Sequence, residues 1–305
     1  MTAIHVYDGA DSAAPVVRKI HPSDIVGALR EGFDDFRAMP SHLAFLGILY
    51  PLAGVGLTYA ASRADLLQLV FPLVSGFALI GPVVATFLYE MSRRRERGLD
   101  TDWSHAFDVL RSPSLPAIGA LSLGLVAVFA LWVAVAEALY QILFGDARIV
   151  SLGALLGEVV GTGRGQALFL VGGAVGFAFA AAVFAVSVIS FPLLLDRDVG
   201  LVAAVRTSVA AVRASPLTFA LWAFTIAAAL VLGSLPLLIG LALVMPLLGH
   251  ASWRLYRRAV ARDPEHELPA EPAPWRPGPS PRFVSQPHSV LFPIGPGGRR
   301  DGGAK

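Results

Sequence analysis

The chain has 305 residues, of which 55% are hydrophobic, and its mean hydropathy of +0.65 is above that of soluble globular proteins. It contains no cysteine, which excludes disulfides, thiolate metal sites and thiol catalysis. The net charge is +2 at pH 7, and the basic residues flank apolar blocks, a pattern that sets membrane topology. Composition therefore predicts an integral membrane protein without a nucleic-acid partner.

Long apolar blocks fill the middle of the chain, and a helix needs about 20 residues to cross a membrane. Four blocks of sufficient length run from 43 to 61, 66 to 89, 117 to 144 and 167 to 195. A fifth, from 217 to 253, has no charged residue and is too long for one span, so we expect a turn at Gly233 to Pro236. The sequence predicts an all-α, polytopic membrane helix bundle with about six transmembrane helices.

Arginines near the ends of these blocks indicate the orientation, because basic residues favour the cytoplasmic side. With the N-terminus inside and six spans, fourteen arginines lie on the cytoplasmic side and three on the other. Five spans would weaken this bias to ten against seven. We therefore expect a multi-pass protein of the bacterial inner membrane with cytoplasmic N- and C-termini.

The two ends of the chain differ from the apolar middle. The prolines are dense after residue 262 and a Gly-rich end follows, so residues 263–305 are predicted to be a disordered cytoplasmic tail. Residues 1–21 are also predicted to be disordered. The six-helix membrane domain is then expected to occupy residues 22–262.

Short amphipathic helices are predicted in the three cytoplasmic segments that lead into spans. Their apolar residues recur every three or four positions within 25–40, 103–113 and 205–216, and a proline follows each. The even-numbered spans share Pro82, Pro192 and Pro246. These features favour a threefold repeat of helix-plus-hairpin units, although inner-membrane proteins in general also repeat apolar, proline and arginine elements.

Four segments resemble a bacterial family of integral membrane proteins, domain of unknown function 2189. They are PLVSGFALIGPVVATFLYE from 72 to 90, SRRRERG from 92 to 98, WSHAFDVLRS from 103 to 112 and PLLGHASWRLYR from 246 to 257. The resemblance extends over roughly residues 34–258 and implies an inner-membrane protein without an established activity. Some members carry the label cytochrome c oxidase subunit I, but haem and copper need histidine ligands inside the bundle, and the first five spans contain none.

Two carboxylates are candidate functional residues. Glu137 lies inside an apolar block, where an ionisable group is a candidate for a substrate or proton path, although its place near the outer boundary favours an interfacial role. Glu90 lies three and four residues before Arg93 and Arg94, which favours a structural ion pair at the inner surface over catalysis.

His250 and Arg254 form a second candidate pair, because a spacing of four places them on one face of the last span. They could bind a lipid headgroup phosphate, but anchoring of the helix end is the simpler interpretation. Between the third and fourth spans, the glycines from Gly161 to Gly165 are interpreted as a flexible loop rather than a phosphate cradle.

Other residues are candidates for packing and bending. Gly172 and Gly176 place small residues four apart, which lets another helix approach closely. Pro82, Pro192 and Pro246 are expected to kink their helices, either as fixed bends that shape the bundle or as hinges for gating.

The sequence contains no pattern typical of a catalytic, metal or cofactor site. The favoured hypothesis is a non-catalytic membrane protein that acts through membrane lipids, a membrane-protein partner or a second copy of itself. The alternative is a small-solute or ion permease or channel, and a membrane enzyme is the least favoured hypothesis.

Overall fold

The computed structural model describes residues 15–39, 70–145, 152–235 and 240–268, without the side chains of 70–80, 152 and 155. Nine α-helices and one 3₁₀ helix lie in these ranges. The α-helices are α1 (Pro22–Ala38), α2 (Val70–Glu96), α3 (Leu115–Phe144), α4 (Leu152–Gly161), α5 (Gly163–Ser187), α6 (Ser190–Asp196), α7 (Gly200–Ala214), α8 (Pro216–Ser234) and α9 (Leu241–Ala259). The 3₁₀ helix, Trp103–Arg111, connects α2 to α3. The predicted all-α class is confirmed.

Three stretches among the described residues are long and apolar enough to cross a membrane. They are α3, the α5–α6 stretch from 163 to 196, and α8. The predicted division of 217–253 is confirmed, because α8 ends at Ser234 and α9 begins at Leu241. The first predicted span, 43–61, lies outside the described residues, and α2 and α9 are not among the three stretches. The count of six spans stays a prediction.

The three predicted amphipathic helices are present as α1, the 3₁₀ helix and α7. Pro22 and Pro216 are the first residues of α1 and α8. Proline lacks a backbone N–H, but at the start of a helix this group would have no acceptor within the helix. The Asp24 carboxylate accepts a hydrogen bond of 2.7 Å from the backbone N–H of His21, which stabilises the start of α1. Local sequence signals therefore explain where these helices begin. The threefold repeat stays a prediction.

The helix that contains Pro192 is broken between α5 and α6. Normal α-helical pairing would join the Ile189 N–H to the Ala185 carbonyl. Instead, the buried Ser208 hydroxyl of α7 accepts from the Ile189 N–H at 3.1 Å and donates to the Ala185 carbonyl at 2.7 Å. An inserted side chain of this kind bends a helix without leaving its backbone groups unpaired.

The second half of α9 is the centre of the packed structure. Most of its residues from Pro246 to Ala259 are buried, including Trp253 and Tyr256. Helix α1 approaches it very closely, because a Cβ added to Gly32 would lie 2.6 Å from the Ala251 Cα. On the α2 side, a Cβ added to Gly249 would lie 2.4 Å from the Leu88 Cδ1. Small residues thus allow α1 and α2 to pack on the α9 backbone.

Packed residues extend beyond both ends of the predicted membrane domain. In the segment before α1, the Ile20 N–H donates to the Ser215 hydroxyl at 2.9 Å and the Ile20 carbonyl accepts from Thr218 at 3.0 Å. Val17 pairs with Val260, and Glu267 pairs with Arg197, as isolated bridges. Residues 15–21 and 263–268, assigned to disordered ends from the sequence, are therefore ordered against α8, α9 and the end of α6. The rest of the predicted tail, 269–305, lies outside the described residues.

Candidate functional site

Many arginines and carboxylates meet around the second half of α9, and we call this part of the molecule the arginine-rich end. It comprises the last two turns of α2, the end of α6, residues 250–262, and the acidic side chains that contact them. Two fully buried carboxylates, Asp35 on α1 and Asp196 on α6, each bind an arginine of α9. Neither carboxylate was a candidate from the sequence.

Asp35 is the first of these centres, with 1% of its surface exposed. The Arg254 guanidinium donates to both of its oxygens, at 2.8 Å from Nε and 2.7 Å from Nη2. Arg95 of α2 also donates to Asp35. A bidentate guanidinium–carboxylate pair is among the strongest hydrogen-bonded arrangements in proteins, so Asp35 fixes α1 to both α2 and α9.

A polar chain extends from Asp35 to the buried His250. The Ser92 hydroxyl lies 2.9 Å from Asp35 Oδ2 and 2.8 Å from His250 Nδ1. The structure therefore brings the two sequence candidates His250 and Arg254 together through a carboxylate and a serine. Both side chains are occupied with groups of the chain itself, which fits anchoring of the helix end.

Asp196 is the second centre and accepts from three side-chain donor atoms. Arg257 donates at 2.7 Å and 2.9 Å to its two oxygens, and the Tyr256 hydroxyl donates at 2.7 Å. Burial raises the pKa of Tyr256 well above its usual value, and the negative charge of Asp196 adds to this effect. Tyr256 therefore keeps its proton and stays a donor to Asp196.

Arg257 also contacts other groups of the arginine-rich end. Its Nε donates at 3.0 Å to Glu96, which accepts a further hydrogen bond of 2.9 Å from the Trp253 indole. The guanidinium lies 4.7 Å from the centroid of the Trp253 ring, at a cation–π distance. Arg257 thus joins the ends of α2, α6 and α9.

Glu90 is fully buried near the same end, on α2 just beyond the last residue of the predicted second span. The predicted ion pair is confirmed for Arg93, whose Nη2 lies 2.7 Å from Glu90 Oε2. Beyond this contact with Arg93, the Glu90 oxygens have no hydrogen-bond partner among the described residues. Burial raises the pKa of Glu90 to about 7, although Arg93 and Arg94 oppose the rise.

Arg93 and Arg94 also contact groups outside α2. Arg93 donates at 2.6 Å to the Leu195 carbonyl, at the end of α6. Arg94 donates at 2.6 Å to the Asp100 carbonyl and lies 3.3 Å from Asp108 of the 3₁₀ helix. Arg93 and Arg94 therefore bind α2 to the end of α6 and to the segment that includes the 3₁₀ helix, rather than facing solvent.

Glu137 lies apart from this set, on α3. Its Oε1 accepts a hydrogen bond of 2.7 Å from Gln141, one turn further along the helix. Its Oε2 is buried and has no hydrogen-bond partner among the described residues. The described contacts do not connect Glu137 to the arginine-rich end.

The packing candidates lie at helix contacts. A Cβ added to Gly176 would meet the Trp132 ring at 3.0 Å, and one added to Gly172 would meet Leu139 at 3.5 Å, so α5 approaches α3 there. Pro82 and Pro246 lie within the continuous helices α2 and α9, and Pro192 lies in α6 just after the break. Of the three, only Pro192 accompanies an interruption of its helix.

The prediction of a flexible loop from Gly161 to Gly165 is wrong. The Thr162 hydroxyl accepts a hydrogen bond of 3.0 Å from the Gly165 N–H and caps α5. A Cβ added to Gly165 would lie 2.0 Å from the Glu158 carbonyl oxygen, so α4 and α5 meet in a close corner. Arg164 binds Glu158 at 2.9 Å across this corner.

The missed residue Asp35 had a signal in the sequence. Ile25, Ala28, Gly32 and Asp35 follow a spacing of three, four and three, and these four are the buried residues of α1. The predicted apolar face of α1, which runs from Ile25 through Phe33, shares Ile25 with this buried stripe, whereas Phe33 is 46% exposed. A carboxylate on the buried stripe of an amphipathic helix predicts a buried cationic partner.

No group of three His, Asp or Glu side chains in the described ranges could hold a metal ion. No curated protein and no solved structure matches the chain. A family model does match, over residues 70–196, from the start of α2 to Asp196. The fourth segment that carried the resemblance, 246–257, lies outside this match. The description of the family is "predicted integral membrane protein", domain of unknown function 2189, which confirms the resemblance over the matched residues and makes this chain a predicted integral membrane protein of unknown specific function.

Proposed function

We propose that this chain is a non-catalytic component of the bacterial inner membrane that acts through contacts with lipids or a partner protein. In this proposal it is a multi-pass protein with both termini in the cytoplasm, and the arginine-rich end faces the cytoplasm. The positive-inside tendency of membrane proteins supports this orientation. A reporter that is active only in the cytoplasm is expected to be active when fused after Lys305. Activity of a reporter that works only in the periplasm would overturn the orientation.

One observation carries the non-catalytic assignment: the buried charges of the arginine-rich end bind one another. Asp35 and Asp196 each accept a bidentate arginine, and the buried Arg93 lies against Glu90. Catalytic groups must be able to reach a substrate. A cluster in which acids and arginines are paired with one another supports a structural role instead.

The apolar surface of the described helices supports contact with lipid or protein. Large hydrophobic side chains are exposed on α3, α4, α5 and α8, among them Leu123, Leu156, Phe177 and Phe224. Such a surface requires a bilayer or another polypeptide to cover it. The partner classes that fit are membrane lipids, a membrane protein and a second copy of the chain.

Crosslinking in native membranes, followed by mass spectrometry, tests the proposal. We expect a reproducible lipid or protein to be recovered at the exposed apolar surface. Recovery of neither in repeated experiments would overturn the proposal.

The second candidate function is a small-solute or ion permease, favoured by one observation. Glu137 lies on a helix that could cross the membrane, and its buried Oε2 has no hydrogen-bond partner among the described residues. A path for a cation or proton could use this oxygen. Liposomes containing the protein would then show a flux that Glu137→Gln lowers, whereas no flux would exclude this function.

A further inference from the structure

A second set of arginines surrounds the arginine-rich end, on the short helices α1 and α7. Arg30, Arg37, Arg206 and Arg213 are all exposed. None of the four forms an ion pair with a carboxylate among the described residues. In contrast, the arginines of α9 at 254, 257 and 258 all bind carboxylates. The four exposed guanidinium groups are therefore available to a ligand outside the chain.

Each of these arginines follows an apolar residue by four positions, so the two side chains lie on one face of the helix. The pairs are Val26 and Arg30, Phe33 and Arg37, Val202 and Arg206, and Val209 and Arg213. Val26, Phe33 and Val202 are 68%, 46% and 61% exposed, and Val209 is half-buried. The Arg37 guanidinium lies 5.8 Å from the centroid of the Phe33 ring. Each short helix thus presents the same combination twice.

The 3₁₀ helix carries a related surface. Phe107 and Leu110 are exposed beside Arg111, whose guanidinium is 73% exposed and lies 3.4 Å from Asp108. Trp103 is also exposed, and its ring contacts Phe107 edge-on. Exposed aromatic and basic residues on one short helix are typical of a segment at a membrane surface.

We propose that these surfaces of α1, α7 and the 3₁₀ helix bind anionic phospholipids of the inner leaflet. The inference rests on the proposed function and names the lipid class. The arginines bind headgroup phosphates, and the apolar residues beside them enter the acyl boundary. Zwitterionic lipids offer no net charge and bind more weakly.

Two arguments favour lipid over a protein partner. The apolar and basic residues recur on three separate short helices, as expected for contact with a continuous charged surface. Helix α1 also packs against α8, and α7 packs against α5 and α3, all of them in stretches long and apolar enough to cross a bilayer, so in this proposal anionic headgroups are close without any further recruitment. Each arginine near such a surface adds about fivefold to the affinity.

The test uses the full chain in nanodiscs made of phosphatidylcholine with a small fraction of labelled phosphatidylglycerol. The variant carries Arg30→Gln, Arg37→Gln, Arg206→Gln and Arg213→Gln, and the matched control carries Lys at the same four positions. We expect the enrichment of phosphatidylglycerol around the protein to fall about fivefold in the Gln variant, because each headgroup site loses its one arginine. The Lys control is expected to keep most of it, because it keeps the charge.

Two double variants, Arg30→Gln with Arg37→Gln and Arg206→Gln with Arg213→Gln, separate the contributions of α1 and α7 if the fourfold variant does not fold. Each is expected to lose part of the enrichment, and raised salt is expected to lower it in the unaltered protein. Equal enrichment in all variants would overturn this inference. It would leave the proposed function standing if crosslinking still recovered a zwitterionic lipid or a protein partner.

Discussion

The arginines of α9 and those of α1 and α7 have the same chemistry but opposite surroundings. Arg254 and Arg257 bind buried carboxylates and are at most 17% exposed, whereas Arg30 and Arg206 face outward without an ionic partner in the described part of the chain. A rule that counts arginines at span ends treats both sets alike. The comparison teaches that one set is part of the folded core, and only the other set is available to bind something else.

The largest expected effect comes from Asp35→Asn, which removes the carboxylate that pairs with Arg254 in the arginine-rich end. Asp35 is the carboxylate that binds Arg254, so its loss leaves a partly buried guanidinium without a counter-charge. We expect a loss of about 3 to 5 kcal/mol in the free energy of unfolding. Unfolding by sodium dodecyl sulfate in mixed micelles measures it. The neighbouring Asp34→Asn is the control, since Asp34 is exposed, and equal losses in both variants would contradict the assignment.

A somewhat smaller loss is expected for Asp196→Asn, near 3 kcal/mol. When the Asp196 carboxylate is removed, the Arg257 guanidinium still has the Glu96 carboxylate at 3.0 Å, so the positive charge of Arg257 retains a counter-charge. The same unfolding assay applies, with the exposed Asp198→Asn as the control. Restoration of stability by the further change Arg257→Met would support the pairing, whereas additive losses would speak against it.

The Glu90–Arg93 pair gives a pH-dependent prediction. Because burial raises the pKa of Glu90 to about 7, the folded protein holds a proton that the unfolded chain releases near pH 4.5. Its contribution to stability is present below pH 4.5 and is lost as the pH rises through 7, by about 3 kcal/mol. Glu90→Gln should flatten this part of the stability curve. The exposed Glu265→Gln should not, and an unchanged slope in Glu90→Gln would refute the prediction.

The smallest expected effect tests the close contact between α1 and α9, which brings Asp35 to Arg254. Gly32→Ala places a Cβ 2.6 Å from the backbone of Ala251, so α1 must move away from α9, at about 1 to 3 kcal/mol. In Gly27→Ala, the new Cβ meets the end of the Arg258 side chain at 2.7 Å, which can shift more easily than backbone, so we expect a smaller loss. Thermal melts by circular dichroism compare the two variants. A larger loss for Gly27→Ala would contradict the described contact.

Much of the helical structure could be predicted from local sequence. The apolar block from 117 to 144 is the core of α3, and the expected break near Gly233 separates α8 from α9. These features depend on periodicity, length and turn residues, which act over a few positions. The pairing of Glu90 with Arg93 has the same local origin, because three residues separate them.

The centre of the site could not be predicted in this way. Asp35 and Arg254 are 219 positions apart in the chain, and no local pattern specifies which of the many arginines binds which carboxylate. The insertion of the Ser208 hydroxyl into the neighbouring helix could not be predicted either, since a serine in an amphipathic helix usually has local partners. Tertiary packing decides both contacts, and the sequence supplied only the stripe on α1 that includes Asp35.

The distance in sequence between Asp35 and Arg254 has a consequence for biogenesis. The ribosome makes α1 and α6 before α9, so Asp35 and Asp196 lack their bidentate arginines until α9 is made, although Arg95 and Arg197 are already present. A nascent chain that ends before α9 therefore carries two incompletely paired carboxylates that the complete fold buries. Both bidentate contacts form only once α9 packs against α1 and α6.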